Sequence, residues 1–323
     1  MKITKLFFVS FILGAKLFAQ NSSDSLYINN VHAGFHASGD LFYNDSTGTS
    51  VFSFNNHHID AAANLWIGGY DMNNQLHIAA QTYRQTGDDF WSGPLDTTTI
   101  VCDSASNLDY NKVWKVSCSE INDYFNFLNN GPAPGYSIPN DFVTWPGNGN
   151  AALGQTHYIA PFFDADADGY YNYASGDYPD VRGHQSLFYV YNDHLANAAH
   201  TETGGMPMGL EIRTMPYAFQ IGWSNAVSNS IFIHYQIINR GTLDYDSTII
   251  ALWSDIDLGS QQNTHTGSDS LLNCYYIHDS AYAVGITFLN HPMAGAISYN
   301  NDFSVTGNPA NAQEYYQYMN QHW

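Results

Sequence analysis

Short apolar runs alternate along this chain with polar, turn-forming stretches. Residues 65–70, Leu65-Trp66-Ile67-Gly68-Gly69-Tyr70, lead into Asp71-Met72-Asn73-Asn74-Gln75 and then into a second run over 76–83. Two β-rich runs about an Asn-Asn turn predict a hairpin. Residues 187–191 read as another strand. Over 231–238 the two-residue period of a strand puts Ile231, Ile233, Tyr235 and Ile237 on one face and Phe232, His234, Gln236 and Ile238 on the other. Residues 247–256 follow a turn at Arg240-Gly241-Thr242 and are expected to close a second hairpin, and 282–289 give one more strand. Helical periodicity is rare. Ser117-Cys118-Ser119-Glu120 has the spacing of a capping box, Ile121, Tyr124, Phe125 and Leu128 recur on one helical face, and Asn129-Asn130-Gly131-Pro132 ends the run. A second helix is expected over 311–320. Long loops rich in Gly, Asn, Asp and Pro occupy 131–154 and 194–208. Parallel βαβ units need helices between strands, and this pattern supplies almost none; no repeat of fixed period is visible either. The expectation is an all-β, antiparallel, β-sandwich-like fold with long loops and one or two short helices. It divides into β-rich regions at 20–145 and 146–323, or forms one continuous domain.

Composition fits that picture. Of 323 residues, 44% are apolar and 15% aromatic, enough for a large core. That excludes a disordered acidic chain, which would be poor in both. Nine basic residues stand against 29 acids, a net charge of −20. This sign excludes a nucleic-acid footprint and argues against docking on anionic lipid. It favours cations.

The first residues modify the charge. Lys2 and Lys5 precede an uncharged apolar run over 6–14, Lys16 follows, and Ala19-Gln20 offers a small residue at a cut. Residues 1–19 therefore read as a secretory signal peptide, too short to span a membrane. No later run reaches the roughly 18 apolar residues of a span, so no membrane insertion is expected. Three of the nine basic residues lie in this segment, which leaves six against 29 acids, a net of −23. Export permits disulfides. Cys102 and Cys118 are the candidate pair, and Cys274, beside Tyr275-Tyr276-Ile277, reads as a buried thiol on a strand. The chain has no CxxC.

One motif carries strong chemistry. Asp164-Ala165-Asp166-Ala167-Asp168-Gly169-Tyr170-Tyr171-Asn172 places carboxylates at positions 1, 3 and 5, glycine at 6 and an amide oxygen at 9. This is the front half of an EF-hand-type calcium loop. Alternate residues of a tight loop turn inward, so three carboxylates converge on one hard cation. Without a cation they repel one another by a few kcal/mol. Gly169 permits the bend and the Tyr170 carbonyl supplies the oxygen of position 7. Position 12 is Ser175 rather than Glu, so Asp177 is expected to close the shell, with Asp180 a weaker candidate. The flanks are not helical. The predicted site is a structural Ca2+ ligated by Asp164, Asp166, Asp168, Tyr170, Asn172 and Asp177, the alternative being a solvated acidic turn.

Other constellations carry less. Adjacent His57 and His58 would face opposite ways on a strand, and no HExxH occurs. Gly222-Trp223-Ser224-Asn225-Ala226 lacks the closing glycine of a nucleophile elbow. Asp255 and Asp257 share a strand face and could form the carboxylate pair of a glycosidase. His200-Thr201-Glu202-Thr203-Gly204-Gly205 is a polar loop without a defined mechanism. Trp66, Phe90, Trp91, Trp114 and Trp145 could stack on sugars, but core packing is the default.

Several segments together resemble a known group. They are residues 65–71, 76–83, Asp89-Phe90-Trp91-Ser92-Gly93-Pro94-Leu95, Lys112-Val113-Trp114-Lys115-Val116, the 164–179 loop, 200–205 and 253–259. The set resembles the N-terminal region of large secreted bacterial proteins that end in a type IX secretion sorting domain, over most of the chain beyond residue 19. The resemblance implies export, secretion machinery as a partner, and display on the outer surface of a Gram-negative cell. In those proteins the loop usually reads Asp-x-Asp-Gly-Asp-Gly; here Ala167 replaces the inner glycine, which should remove no ligand. The resemblance also marks Asp24-Ser25-Leu26, Asp103-Ser104-Ala105, Asp246-Ser247-Thr248, Asp269-Ser270-Leu271 and Asp279-Ser280-Ala281 as O-glycosylation triplets, with ordinary Asp-Ser turns as the alternative. No sorting domain precedes Trp323, so the sequence is expected to be a fragment or a short paralogue. The expected role is a calcium-stabilised structural or adhesion protein, without a catalytic centre in this segment, that meets surface glycans or other surface proteins. The alternative is a carbohydrate-binding or glycoside-acting protein using exposed aromatics and Asp255/Asp257.

Overall fold

The computed structural model describes residues 21–222, 225–259, 264–299 and 309–321. The expected signal peptide lies outside them. In chain order the strands are β1 Ser23–Leu26, β2 Val31–His36, β3 Tyr43–Asn44, β4 Thr49–Ser50, β5 Phe52–Phe54, β6 His57–His58, β7 Asp60–Asp71, β8 Leu76–Ala79, β9 Trp91–Ser92, β10 Trp114–Ser117, β11 Phe162–Phe163, β12 Tyr178–Pro179, β13 Gln185–Asn192, β14 Leu210–Ala218, β15 Ile231–Asn239, β16 Tyr245–Asp257, β17 His265–Asp269, β18 Cys274–His278 and β19 Ala283–Thr287. The helices are α1 Ser104–Asp109, α2 Cys118–Asn130, α3 Asn140–Val143 and α4 Ala312–Met319. The fold is all-β. Every ladder between these strands is antiparallel.

Two strands explain the layering, because both are buried on both faces. Along β7, Ala61, Ala63, Leu65 and Ile67 enter one core, while Ala62 and Trp66 enter another. Along β13, Leu187, Tyr189 and Tyr191 face the first core, while Phe188 and Val190 face a third. The strands β1-β2-β5-β6 and β16-β7-β8 make the first face, and the Leu41–Ala63 bridge ties in the chain between β2 and β3. The order β10-β13-β14-β15 makes the second face, with β9 beside β13. The central core lies between them, as in a sandwich. On the outer side of β7, Trp66 and Trp253 pack with Tyr315 and Tyr316 of α4. On the outer side of β13, Trp114 and Val116 pack with Tyr124 of α2, Phe142 of α3 and Trp145 of the loop that follows. Strand β10 of the first expected region pairs directly with β13 of the second.

The local chemistry follows the sequence in most places. The hairpin at 65–83 forms as β7 and β8, with the Asp71 carboxylate accepting from the Asn73 and Gln75 amides at 2.9 and 2.8 Å. Its second strand stops at Ala79, because the Ala80 amide turns to the Asp89 carboxylate at 3.2 Å. Helix α2 starts with both halves of the Ser117–Glu120 capping box, and α4 starts with Asn311 accepting from the Glu314 amide at 3.1 Å. The apolar face expected on β15 enters the central core.

The second expected hairpin does not form. Strand β16 crosses to the other sheet and pairs with β7 over its whole length, apart from a bulge between Asp246 and Ile249. Its two faces explain the choice: Leu252 and Ile256 fill the central core, and Ile249, Ala251 and Trp253 fill the core under α4. Strand β14 lies where the sequence pattern predicted no strand, and Pro216 sits inside it. Its register with β13 is interrupted between Thr214 and Tyr217, where a missing amide costs little.

Leu187 is fully buried and Leu271 is 95% exposed. Leu187→Ala is expected to lower unfolding free energy by about 2–5 kcal/mol, and Leu271→Ala to change it by under about 0.5 kcal/mol, measured by denaturant titration.

Candidate functional site

The 164–180 segment sits between two anchors. Strand β11 pairs with β12, joining Phe162 to Pro179 and Phe163 to Tyr178. The intervening chain therefore leaves and returns at one place. Within it, the carboxylates of Asp164, Asp166 and Asp168 bring one oxygen each within 4.8 Å of one another. The backbone dictates this convergence. Asp164 accepts from the Asp168 and Gly169 amides at 3.2 and 2.8 Å, and Asp168 accepts from the Tyr170 amide at 2.7 Å. Gly169 takes φ +83°. Ala167 takes φ +59°, a left-handed conformation that a Cβ disfavours. Among the described residues, no Lys or Arg nitrogen lies within 4.0 Å of the three carboxylates. Three oxygen donors of one sign suit a hard cation such as Ca2+.

Of the remaining expected ligands, Asp177 and Asn172 have other engagements. Asp177 is fully buried and accepts from the Ala165 and Asn172 amides at 2.8 and 2.7 Å, so it braces the loop from beneath. Asn172 caps the 3-10 turn Tyr173–Ser175 through the Ala174 amide at 3.0 Å. The Tyr170 ring is 59% exposed. Asp180 is exposed, and its amide donates to the Pro161 carbonyl at 3.1 Å. The structure thus assembles the triad, with Asp177 and Asn172 bracing the loop around it and Asp180 exposed beyond it.

The expected Cys102–Cys118 disulfide is not formed. Both thiols are free and meet different partners. Cys102 faces the Ser92 carbonyl at 3.6 Å, and Cys118 faces the Gly183 carbonyl at 3.1 Å. Each packs where its own strand or helix begins, so closeness in sequence did not bring them together. Burial pushes the Cys102 thiol up to about 12. Cys274 is partly buried on β18, as a free thiol.

The other sequence candidates are structural. The 200–205 loop is a buried junction. Asp89 accepts from the Glu202 amide at 3.1 Å and the Thr203 hydroxyl at 2.7 Å. Glu202 accepts from Tyr315 at 2.9 Å, from Thr82 at 2.5 Å and from Thr86. The two nitrogens of His200 contact the Ile78 and Asp193 carbonyls at 2.8 and 2.6 Å. Asp193 accepts from the Met208 and Leu210 amides at 2.5 and 2.6 Å, and burial raises its pKa despite them. Asp255 accepts from the Tyr83 hydroxyl, and Asp257 accepts from the Gly259 amide at 2.8 Å. Trp66, Trp114, Trp145 and Phe90 are buried, and Trp91 partly so. His57 stacks on Tyr282 at 4.1 Å, while His58 meets Asp60 at 3.0 Å. In the 222–226 segment, residues 223 and 224 lie outside the described residues. Of the serines in the Asp-Ser triplets, Ser104, Ser247, Ser270 and Ser280 are exposed. Asp103, Asp269 and Asp279 also accept from nearby backbone amides, as Asp-Ser turns do.

Sequence reasoning missed one feature. Beside the triad lies an open cleft of about 590 Å³, floored by the outer face of β13, β14 and β15 and walled by the 158–162 segment. The alternation noted for β15, with His234 and Gln236 opposite the apolar face, was its only sequence signal.

Fold and site together define an all-β, β-sandwich-like protein with a braced acidic loop at the margin of one sheet. No family model, curated protein or solved structure matches the chain.

Because Ala167 adopts φ +59°, Ala167→Gly is expected to stabilise the protein by about 0.5–1 kcal/mol in calcium-free buffer. A denaturation midpoint that stays the same or falls would contradict the strain assigned to this position.

Proposed function

We propose that this is an exported surface protein, stabilised by calcium, whose work is structural or adhesive rather than catalytic. The observation that carries the calcium half is the Asp164–Asp166–Asp168 convergence, with no Lys or Arg nitrogen within 4.0 Å among the described residues. Asp164, Asp166 and Asp168 would hold the ion, with the Tyr170 carbonyl and water completing a shell, while Asp177 keeps the loop in shape. An ion there supplies charge neutralisation and cross-links the turn; affinity on the order of 10⁻⁴–10⁻³ M is typical of extracellular modules. The adhesive half draws on the surroundings of the competing acid pair. Asp255 lies among Tyr83, Trp253 and other rings near α4, and neither acid lines the cleft beside the triad. Export is supported by the signal-peptide pattern over 1–19 and by the resemblance to type IX secretion proteins.

Millimolar calcium at that affinity adds roughly 0.5–2 kcal/mol. For a chain of this size, the melting temperature is expected to rise by about 1–5 °C over the chelator-treated protein. The rise should disappear in Asp166→Asn/Asp168→Asn. An equal melting temperature with calcium and with chelator would overturn the calcium reading.

A further inference from the structure

We propose that the cleft beside the acidic loop binds a carboxylate-bearing saccharide, a uronic-acid oligomer, with Arg182 taking the carboxylate and Tyr158 taking the face of a sugar ring. The assignment deepens the adhesive half of the proposed function and rests on it; Asp164 of the calcium loop lines the same cleft, so its test holds calcium fixed.

Charge is the first argument. Six basic residues lie beyond residue 20. Arg84 pairs with Asp40 and Asp88, Lys112 with Asp141, Lys115 with Asp24, and both Arg213 and Arg240 with Glu211. Among the described residues, only Arg182 has no carboxylate oxygen within 4.0 Å, and it is exposed and lines this cleft. Asp164 and Asp180 also line the cleft, yet neither carboxylate comes within 4.0 Å of Arg182, so its guanidinium is open to a carboxylate from outside. Its planar fork matches a carboxylate in two hydrogen bonds. Arg213 on the floor stays with Glu211: its Nη2 lies 2.8 Å from that carboxylate and its Nε donates to it at 2.9 Å. His234 also lines the cleft, held below its ordinary pKa by burial and, second, by Arg182.

Shape and surface are the second argument. The volume falls within the roughly 300–1,000 Å³ of small-ligand sites. Tyr158 lies at its rim, 54% exposed, with Phe163 at 51% and Tyr170 at 59% on the adjoining loop. Uncharged rings offer a flat face to the C–H side of a pyranose, while Gln236 and Asp180 offer hydrogen bonds to its hydroxyls. The wall is rigid before any ligand arrives: the Ile159 and Ala160 amides donate to the Gly147 and Pro146 carbonyls at 3.0 Å each, and the β11–β12 ladder ties this wall to the strand leading to Arg182. Preorganisation of this kind reduces the entropy cost of binding.

The test is calorimetric titration of the full chain, at fixed millimolar calcium, with a trimer of glucuronic acid and with its methyl ester. The acid is expected to bind saturably at one per chain. Arg182→Gln and Tyr158→Ala, both at exposed positions, should each weaken binding at least about tenfold, and the ester should bind at least about tenfold more weakly than the acid. No saturable binding by the wild-type protein, equal affinity in Arg182→Gln, or equal affinity for the ester would overturn the proposal. The melting comparison above reports on the ion alone, so failure of the cleft and failure of the calcium loop are read separately.

Discussion

Buried carboxylates that accept hydrogen bonds from backbone amides hold this structure together. A protein with long loops has many amides without a sheet partner, and each one buried without an acceptor costs about 1–3 kcal/mol. Here acids supply the acceptors. Asp89 takes amides from both sides of the 80–90 and 200–205 junction, Asp193 takes those of Met208 and Leu210 as β14 begins, and Asp177 takes those of Ala165 and Asn172. Glu211 adds the Leu95 amide and two guanidinium groups. Charge-assisted hydrogen bonds of this type are stronger than neutral ones. The loops are thereby fixed as firmly as the strands they connect, and the edges of the sheets stay in register with them.

That device changes the meaning of the acidic composition. A net charge of −20 read as bulk property points to solubility and attraction for cations. In the structure three kinds of acid stand out. One kind is internal and binds amides. Another meets the few basic side chains, as Asp40 meets Arg84 and Asp24 meets Lys115. The third is the Asp164–Asp166–Asp168 triad, whose carboxylates converge with neither amides enough nor cations to satisfy them. The triad stands apart because the same backbone turn that supplies amides to Asp164 and Asp168 also drives the three side chains together. The cleft follows from the same economy of bases: with most of them paired, Arg182 is left facing solvent beside Tyr158.

Much of the fold was legible in the sequence because it rests on local rules. The β7–β8 turn, the Ser117 capping box, the Asn311 cap and the two faces of β15 each depend on residues close in sequence. The partner of β16 depends instead on two distant cores that its faces fill together, and a turn signal at Arg240-Gly241-Thr242 cannot report that. Strand β14 carries Pro216, whose missing amide falls where the ladder with β13 is interrupted while the ladder with β15 runs on. The triad was legible from spacing alone. Asp177 was visible as an acid at the right place, but its turn toward the Ala165 and Asn172 amides is a property of the folded loop. The cleft needed three strands and a wall from elsewhere, so only the half-polar face of β15 hinted at it.

Direct observation of an ion in the loop tests the central claim. Terbium occupies calcium sites and emits when a neighbouring tyrosine transfers excitation to it; Tyr170 lies within the loop, two residues from Asp168. Titration of the full chain with terbium is predicted to give saturable emission at one ion per chain, displaced by millimolar calcium and lost in Asp166→Asn/Asp168→Asn. Absence of sensitised emission, or emission unchanged in that variant, would contradict the account.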